Sequence, residues 1–222
     1  MSDEEGSDPK VELVTENCFW IKNALSHEEQ RNLIRFVRNR TEKSRKQARP
    51  SAALTRTPKT LMLGKAEGEP CAKFSYENKE DSSSTAVLFV KKMNEILWRK
   101  GLHEHARGRV KRVSVAAIRY EGPSAVFPPH VDRCEDSFVY LASLGRTARF
   151  TVKSPSMDKR RDIAFGSGDA IIFDPSSEAA LLHSVEGIES FATKSGEALE
   201  REFPALVKGC RIGLQRRAFF TT

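Results

Sequence analysis

The chain has 222 residues, 39% of them apolar and 30% charged, with a formal net charge of +7. That is the profile of one soluble globular domain, two at most, long enough to bury a core, and no apolar run approaches the ~20 residues of a membrane span. The four cysteines, Cys18, Cys71, Cys134 and Cys210, form no CxxC pair, which argues against a zinc ribbon or a disulfide scaffold and suits a reducing, intracellular compartment (cytoplasm or nucleus) with no disulfide partner.

In chain order, the opening "MSDEEGSDPK" is acidic and polar. It lacks the apolar stretch of a signal peptide and reads as a disordered tail over 1–10, ahead of a single domain over 11–222. "VELVTENCFWI" (11–21) predicts one strand of mixed alternation. "SHEE" (26–29) has the S-x-x-E spacing of a capping box, so Ser26 caps a helix. Leu33, Ile34, Phe36 and Val37 give that helix a buried face, and Arg31, Arg35 and Arg38 give it a basic stripe. Residues 41–83 are rich in Pro, Ser, Thr and Lys, with one predicted strand at "TLMLG" (60–64). A second helix follows "DSSST", carries Ala86, Phe89, Val90, Met93, Ile96 and Leu97 as a packing stripe, and ends at Gly101.

Two stretches are strongly basic. Residues 40–59 hold seven Lys or Arg against one Glu, and "RKGLHEHARGRVKR" (99–112) is similar. Either alone reads as a solvated loop; both within one small domain point to a polyanionic partner, most obviously nucleic acid, DNA or RNA.

From 113 onward the texture changes to short β-branched or aromatic segments: "VSVAAIRY", "SFVYLAS", "TARFTVK", "RDIAFG", "AIIF" and "RIGLQRRAFF". Turn signals such as "SLGR", "SPSMD" and "GSGD" separate them. A helical layer over 11–112 followed by an all-β half over 113–222 predicts an α+β fold centred on a sandwich or barrel.

"FPPHVDRCED" (127–136) places His130 two residues before Asp132. Alternation puts both on one face, where an imidazole and a carboxylate suit divalent iron, manganese or zinc. His183 is the only histidine downstream, beyond about four short strands, enough for the chain to cross a jelly roll and return. Two histidines and a carboxylate make the facial triad of non-haem iron(II) oxygenases, which leaves open positions for a chelating cosubstrate and oxygen. On "CRIGLQRR", Arg211 and Arg217 are six residues apart. They therefore share a face with Gly213 and Gln215, while Ile212 and Leu214 face the other layer. A planar guanidinium there can grip a carboxylate bidentately.

These residues together resemble the AlkB family of iron(II)- and 2-oxoglutarate-dependent dioxygenases. The resemblance rests on "RY" at 119–120, "HVD" at 130–132, "SLGRTARF" at 143–150, "GSGDAIIF" at 166–173, His183, and Arg211-x-x-Leu214-x-x-Arg217, and covers about half the chain. It implies a double-stranded β-helix (jelly-roll) core with N-terminal helices packed on one face. Residues 11–112 would be the helical and substrate-recognition region, and 113–222 the core. It implies that His130, Asp132 and His183 bind Fe(2+), that Arg211 pairs with the distal carboxylate of 2-oxoglutarate, and that Tyr120 hydrogen-bonds the same cosubstrate. Arg217 would lie beside the iron-bound Asp132, against the cosubstrate and the reaction zone. In the family, O2 and 2-oxoglutarate are consumed with release of succinate and carbon dioxide. An N-methyl group is hydroxylated, and the hemiaminal collapses to formaldehyde. A monomeric enzyme acting on alkylated bases, with no membrane association, is the expectation.

The chain also departs from the family pattern. Ile118 stands where the family usually has Asn, and Cys134 stands where repair enzymes often carry an acidic residue, with Glu135 next and able to take over that contact. Phe173 falls near a family aromatic flanking the substrate pocket; it reads equally as a base-stacking ring or a core phenylalanine. His103 and His105 have metal-pair spacing but no third ligand nearby, and read as surface histidines. Residues 187–209 form either a short helix over the site or a projection into solvent. The competing readings are a non-catalytic nucleic-acid-binding jelly roll and a 2-oxoglutarate oxygenase acting on protein side chains.

Overall fold

The computed structural model describes residues 9–47, 72–79, 85–102 and 110–220. The acidic tail to residue 8, most of the basic stretch 40–59, the "TLMLG" segment, Cys71, and His103 and His105 lie outside the described residues.

The N-terminal strand expected over 11–21 is two strands. β1 (Lys10–Thr15) and β2 (Cys18–Lys22) pair antiparallel around a turn in which the Asn17 amide donates to Thr15 Oγ1 at 3.1 Å. The apparently mixed alternation of β2 comes from burial on both faces. Phe19 and Ile21 enter one hydrophobic cluster, Cys18 and Trp20 the other. α1 (His27–Gln47) begins at the capping box: Ser26 Oγ accepts from the Glu29 amide at 3.2 Å, and Glu29 Oε2 accepts from the Ser26 amide at 2.7 Å. The arginine stripe of α1 is partly neutralised, because Arg31 pairs with Glu28 and Glu202, and Arg35 with both acids at longer range.

β3 (Ala72–Lys79) and α2 (Thr85–Arg99) precede the β-rich half, made of β4 (Val110–Glu121), β5 (Phe127–His130), β6 (Ser137–Lys153), β7 (Arg161–Phe165), β8 (Ala170–Phe173), β9 (Leu182–Ala192) and β10 (Cys210–Phe220). All pairings are antiparallel. One layer runs β1-β2-β8-β6-β10-β4-β3, and the other joins β5, β9, the far half of β6, and β7. The result is a mostly antiparallel jelly roll with few helices.

β6 corrects the sequence expectation of two strands divided by an "SLGR" turn. It is one 17-residue strand that passes from the first layer to the second. Gly145 sits at that crossing with φ +92, and a Cβ there would lie 2.6 Å from the Cys210 carbonyl oxygen. A local glycine therefore marks a bend within a continuous strand.

The 187–209 segment is also corrected. It neither covers the site nor projects freely. β9 runs on to Ala192, Thr193 caps α3 (Lys194–Glu202), and α4 (Pro204–Val207) follows. Leu199, Phe203 and Val207 join the same buried cluster as Leu33, Ile34 and Val37 of α1, Phe89 and Met93 of α2, and Ile212 and Leu214 of β10. The second cluster lies between the two sheets and contains Ile118, Tyr120, Phe150, Phe165, Phe173 and Val185. No helix among the described residues is long and apolar enough to cross a membrane.

Candidate metal centre

His130 closes β5 and His183 is the second residue of β9, and the two residues face one another directly in the β5–β9 register. Their rings lie 4.2 Å apart between centroids. Asp132 follows two residues after His130, and one ligand atom from each of the three side chains falls within 4.8 Å of the others. The remote histidine thus returns by cross-strand pairing, the simplest way for a jelly roll to bring positions 130 and 183 together.

The hydrogen bonds select the ligand atoms. His130 Nδ1 lies 2.9 Å from the Pro128 carbonyl oxygen, and His183 Nδ1 lies 3.1 Å from that of Leu181. A carbonyl only accepts, so each Nδ1 carries a proton and each Nε2 is the ring atom left to face a metal. Burial is the main cause that drives the His183 pKa down to about 4, and the neighbouring His130 adds to it, so the imidazole is neutral as ligation requires. His183 is 6% exposed and packs against Phe173, with ring centroids 4.6 Å apart, and against Phe150.

Asp132 Oδ2 accepts from an Arg217 terminal nitrogen at 2.6 Å, and Oδ1 lies 3.6 Å from His130 Nε2. Burial alone would raise the Asp132 pKa; the His130 ring and the Arg217 guanidinium outweigh it, and the carboxyl stays below its ordinary range. The acid is thus held ionised and aimed, with one oxygen fixed by arginine and the other turned towards the histidines.

Arg211 lies at the other end of the same strand face, pairs in register with Tyr120, and is 2% exposed. Its Nε donates to Ser143 Oγ at 3.1 Å, and its guanidinium sits 5.1 Å from the centroids of both Tyr120 and Phe165. Burial lowers its pKa and the Tyr120 hydroxyl counters this; burial likewise raises the Tyr120 pKa against the pull of Arg211. A cation so enclosed is suited to an anion entering beside it. Between Arg211 and the histidines runs a narrow cavity of about 50 Å³, walled by Ile118, Phe127, Leu141, Phe150 and Val185. A larger hollow of about 560 Å³ lies between α1 and α2, but its Lys92 is already paired with Glu29, and no metal-ligand cluster converges there among the described residues.

The three residues expected towards substrate are dispersed. Cys134 is half-buried, a free thiol whose amide donates to the Pro175 carbonyl oxygen at 2.9 Å. Glu135 is exposed, and its carboxylate accepts from the Ser177 amide at 2.9 Å, which holds its pKa low. Together these bonds staple the loop after His130 to the connection that leads to His183. Phe173 is 1% exposed and packs on His183, a placement that favours the core reading over an open stacking face. Sequence reasoning missed Ser143 and Phe165, which position Arg211.

The sequence model of the 2OG-Fe(II) oxygenase superfamily matches residues 17–217 of the chain. No curated protein sequence matches it. Among solved structures, a Pseudomonas putida prolyl-4-hydroxylase superimposes with a TM-score of 0.53 at 12% identity, covering 95% of this chain and 96% of that one. OsALKBH1 superimposes with a TM-score of 0.55 at 18% identity, covering 96% of this chain and 100% of that one. At such identities the likeness is one of fold.

Proposed function

The chain belongs to the 2OG-Fe(II) oxygenase superfamily, and from that premise we propose that it is an AlkB-like enzyme that removes N-methyl groups from alkylated bases in nucleic acid. Fe(2+), 2-oxoglutarate and O2 are the cofactors that the superfamily implies, and the His130, Asp132 and His183 donor set fits the metal. These three side chains would hold the ion, and Arg211 with Tyr120 would take the distal carboxylate of 2-oxoglutarate. Arg217 orients Asp132 and lies towards the reaction zone. When bound, the metal and cosubstrates supply the oxidation. O2 and 2-oxoglutarate give succinate, carbon dioxide and one oxygen atom, which becomes the hydroxyl of N–CH2OH; loss of formaldehyde then restores N–H. The protein's part is to keep the His183 imidazole neutral, hold Asp132 ionised, and exclude water with Phe127, Phe150 and Leu141.

The observation that carries this reading is the single strand face on which Arg211 meets Tyr120 and Arg217 meets Asp132, the arrangement that the AlkB resemblance implies. The basic stretches and the likeness to OsALKBH1 support nucleic acid as the substrate class. The likeness to a prolyl-4-hydroxylase supports a second reading, hydroxylation of a protein side chain. The free thiols Cys18, Cys134 and Cys210 support an intracellular location.

The test is incubation with Fe(II), 2-oxoglutarate and ascorbate alongside pools of methylated DNA, RNA and peptides, measuring succinate and formaldehyde. Formaldehyde release with a methylated oligonucleotide, abolished by His130→Ala, is expected. Succinate coupled only to peptide hydroxylation would replace the demethylase with the second reading.

A further inference from the structure

We infer that the hollow between α1 and α2 binds an amphipathic anion, a molecule with an apolar body and one acidic head, and that Arg216 receives the head. The site lies on the helix side of β10, away from the metal centre, and stands independently of the activity proposed above. Arg216 is fully buried there, and none of its three guanidinium nitrogens has a hydrogen-bond partner among the described residues. At neutral pH an arginine is charged, and an ion taken out of water needs a counter-charge or hydrogen bonds in exchange. Its neighbours in the sheet offer neither. Val115 and Tyr140 stand in register on either side of it, and the Tyr140 hydroxyl donates instead to Asn94 Oδ1 at 2.7 Å. A buried polar group without a partner calls for one, and for a planar guanidinium the fitting partner is a carboxylate or phosphate.

The hollow supplies the approach. Its volume of about 560 Å³ falls within the ~300–1,000 Å³ of sites that take small organic molecules. Leu25, Leu33, Phe36, Leu88 and Phe89 give it an apolar wall, and Leu88 is 53% exposed, so that wall meets solvent. The cations at its rim are already matched: Lys92 pairs with Glu29 at 2.5 Å, and Arg35 with Glu28 at 3.4 Å. The unmatched cation lies deeper, and Phe89 joins it to the hollow. That side chain lines the hollow, and its ring centroid is 4.3 Å from the Arg216 guanidinium carbon. A turn of the Phe89 ring lets an acidic head exchange the cation–π contact for a bidentate ion pair while the apolar body stays in the hollow. A small inorganic anion would gain nothing from such a wall, and a neutral apolar molecule nothing from Arg216.

The experiment titrates the full-length, Mn(II)-loaded protein, in the presence of 2-oxoglutarate, with decanoate, decanol and acetate by calorimetry, below the micelle concentration. Decanoate should bind as one equivalent, with decanol and acetate each weaker about tenfold or more. Arg216→Met should bind decanoate no more tightly than decanol, with a melting temperature no lower than wild type, so that the loss is not unfolding. Leu88→Glu leaves Arg216 in place but sets a like charge in the hollow, and should weaken decanoate more than decanol. Arg211→Met should leave decanoate affinity unchanged. The inference is overturned if the wild type binds neither decanoate nor decanol, or binds both alike. It is equally overturned if the preference for decanoate survives Arg216→Met or Leu88→Glu. Loss of decanoate in Arg211→Met would place the anion in the cosubstrate cavity and end the inference in the same way.

Discussion

His183 carries a protonation cost that the rest of the site depends on. Its pKa falls from the ordinary 6.5 to about 4, chiefly by burial. Above pH ~6.5 the imidazole is neutral in both folded and unfolded chains, and the stability is fully present. As pH falls below that value the unfolded chain takes up a proton that the native one refuses. Stability is therefore lost progressively down to pH 4, by about 3 kcal/mol in total. Urea unfolding of metal-free protein between pH 7.5 and 4 should show this loss, and the same series on His183→Gln should lack that component. Arg211 makes a second prediction at this scale. Replacing its enclosed fork by the point charge of Arg211→Lys should raise the 2-oxoglutarate KM tenfold or more with Mn(II) affinity unchanged, because Ser143, Tyr120 and Phe165 are arranged around a planar group. Equal losses of both would point to a folding defect. Arg211, Gly213, Gln215 and Arg217 are legible in the sequence because alternation assigns faces by parity, and the HxD pair for the same reason. Ser143 and Phe165 are not: they support Arg211 only across strands, from 68 residues away in the case of Ser143, and no local pattern carries a cross-strand contact.

Among the elements, β6 differs most from its sequence pattern. Its Ser-Leu-Gly-Arg stretch has turn composition, yet the chain keeps pairing on both sides. Gly145 faces Arg211 across the β6–β10 ladder, so the bend that moves β6 from one sheet to the other lies beside the cosubstrate end of the site. Gly145→Ala should be costly twice over, from positive φ and from a Cβ pressed against the Cys210 carbonyl oxygen. A loss of about 2–4 kcal/mol is expected, together with weakened 2-oxoglutarate binding as the Arg211 strand shifts. Chemical denaturation and calorimetry on the same samples would check both, and unchanged stability would mean that the crossing tolerates a side chain. The helix starts were more legible than the strand ends. The Ser26–Glu29 capping box is a contact between near neighbours, whereas the fate of Gly145 is decided by strands far away in the chain.

At the scale of the molecule, β10 divides two interiors. Arg211, Gly213, Gln215 and Arg217 face the site between the sheets, while Ile212, Leu214 and Ala218 face the cluster shared with the helices. Arg216 falls on the second side and is fully buried there. Its guanidinium rests 4.3 Å above Phe89, none of its nitrogens has a hydrogen-bond partner among the described residues, and burial pulls its pKa down to about 9. A cation–π contact returns about 2 kcal/mol when desolvated, less than the several kcal/mol that removing an ion from water costs. Arg216 should therefore oppose folding, and Arg216→Met, which keeps the volume and drops the charge, should raise the unfolding free energy by about 1–3 kcal/mol. Because the side chain points away from the cavity, 2-oxoglutarate affinity and succinate yield should not move. Phe89→Ala in the wild type should lower stability by about 3–5 kcal/mol, and by less once Arg216→Met has removed the cation it supports. If Arg216→Met instead melts earlier, the guanidinium has a stabilising role that the Phe89 contact does not account for. If it also loses 2-oxoglutarate, the two faces of β10 are coupled, and the strand's separation into a structural side and a chemical side fails.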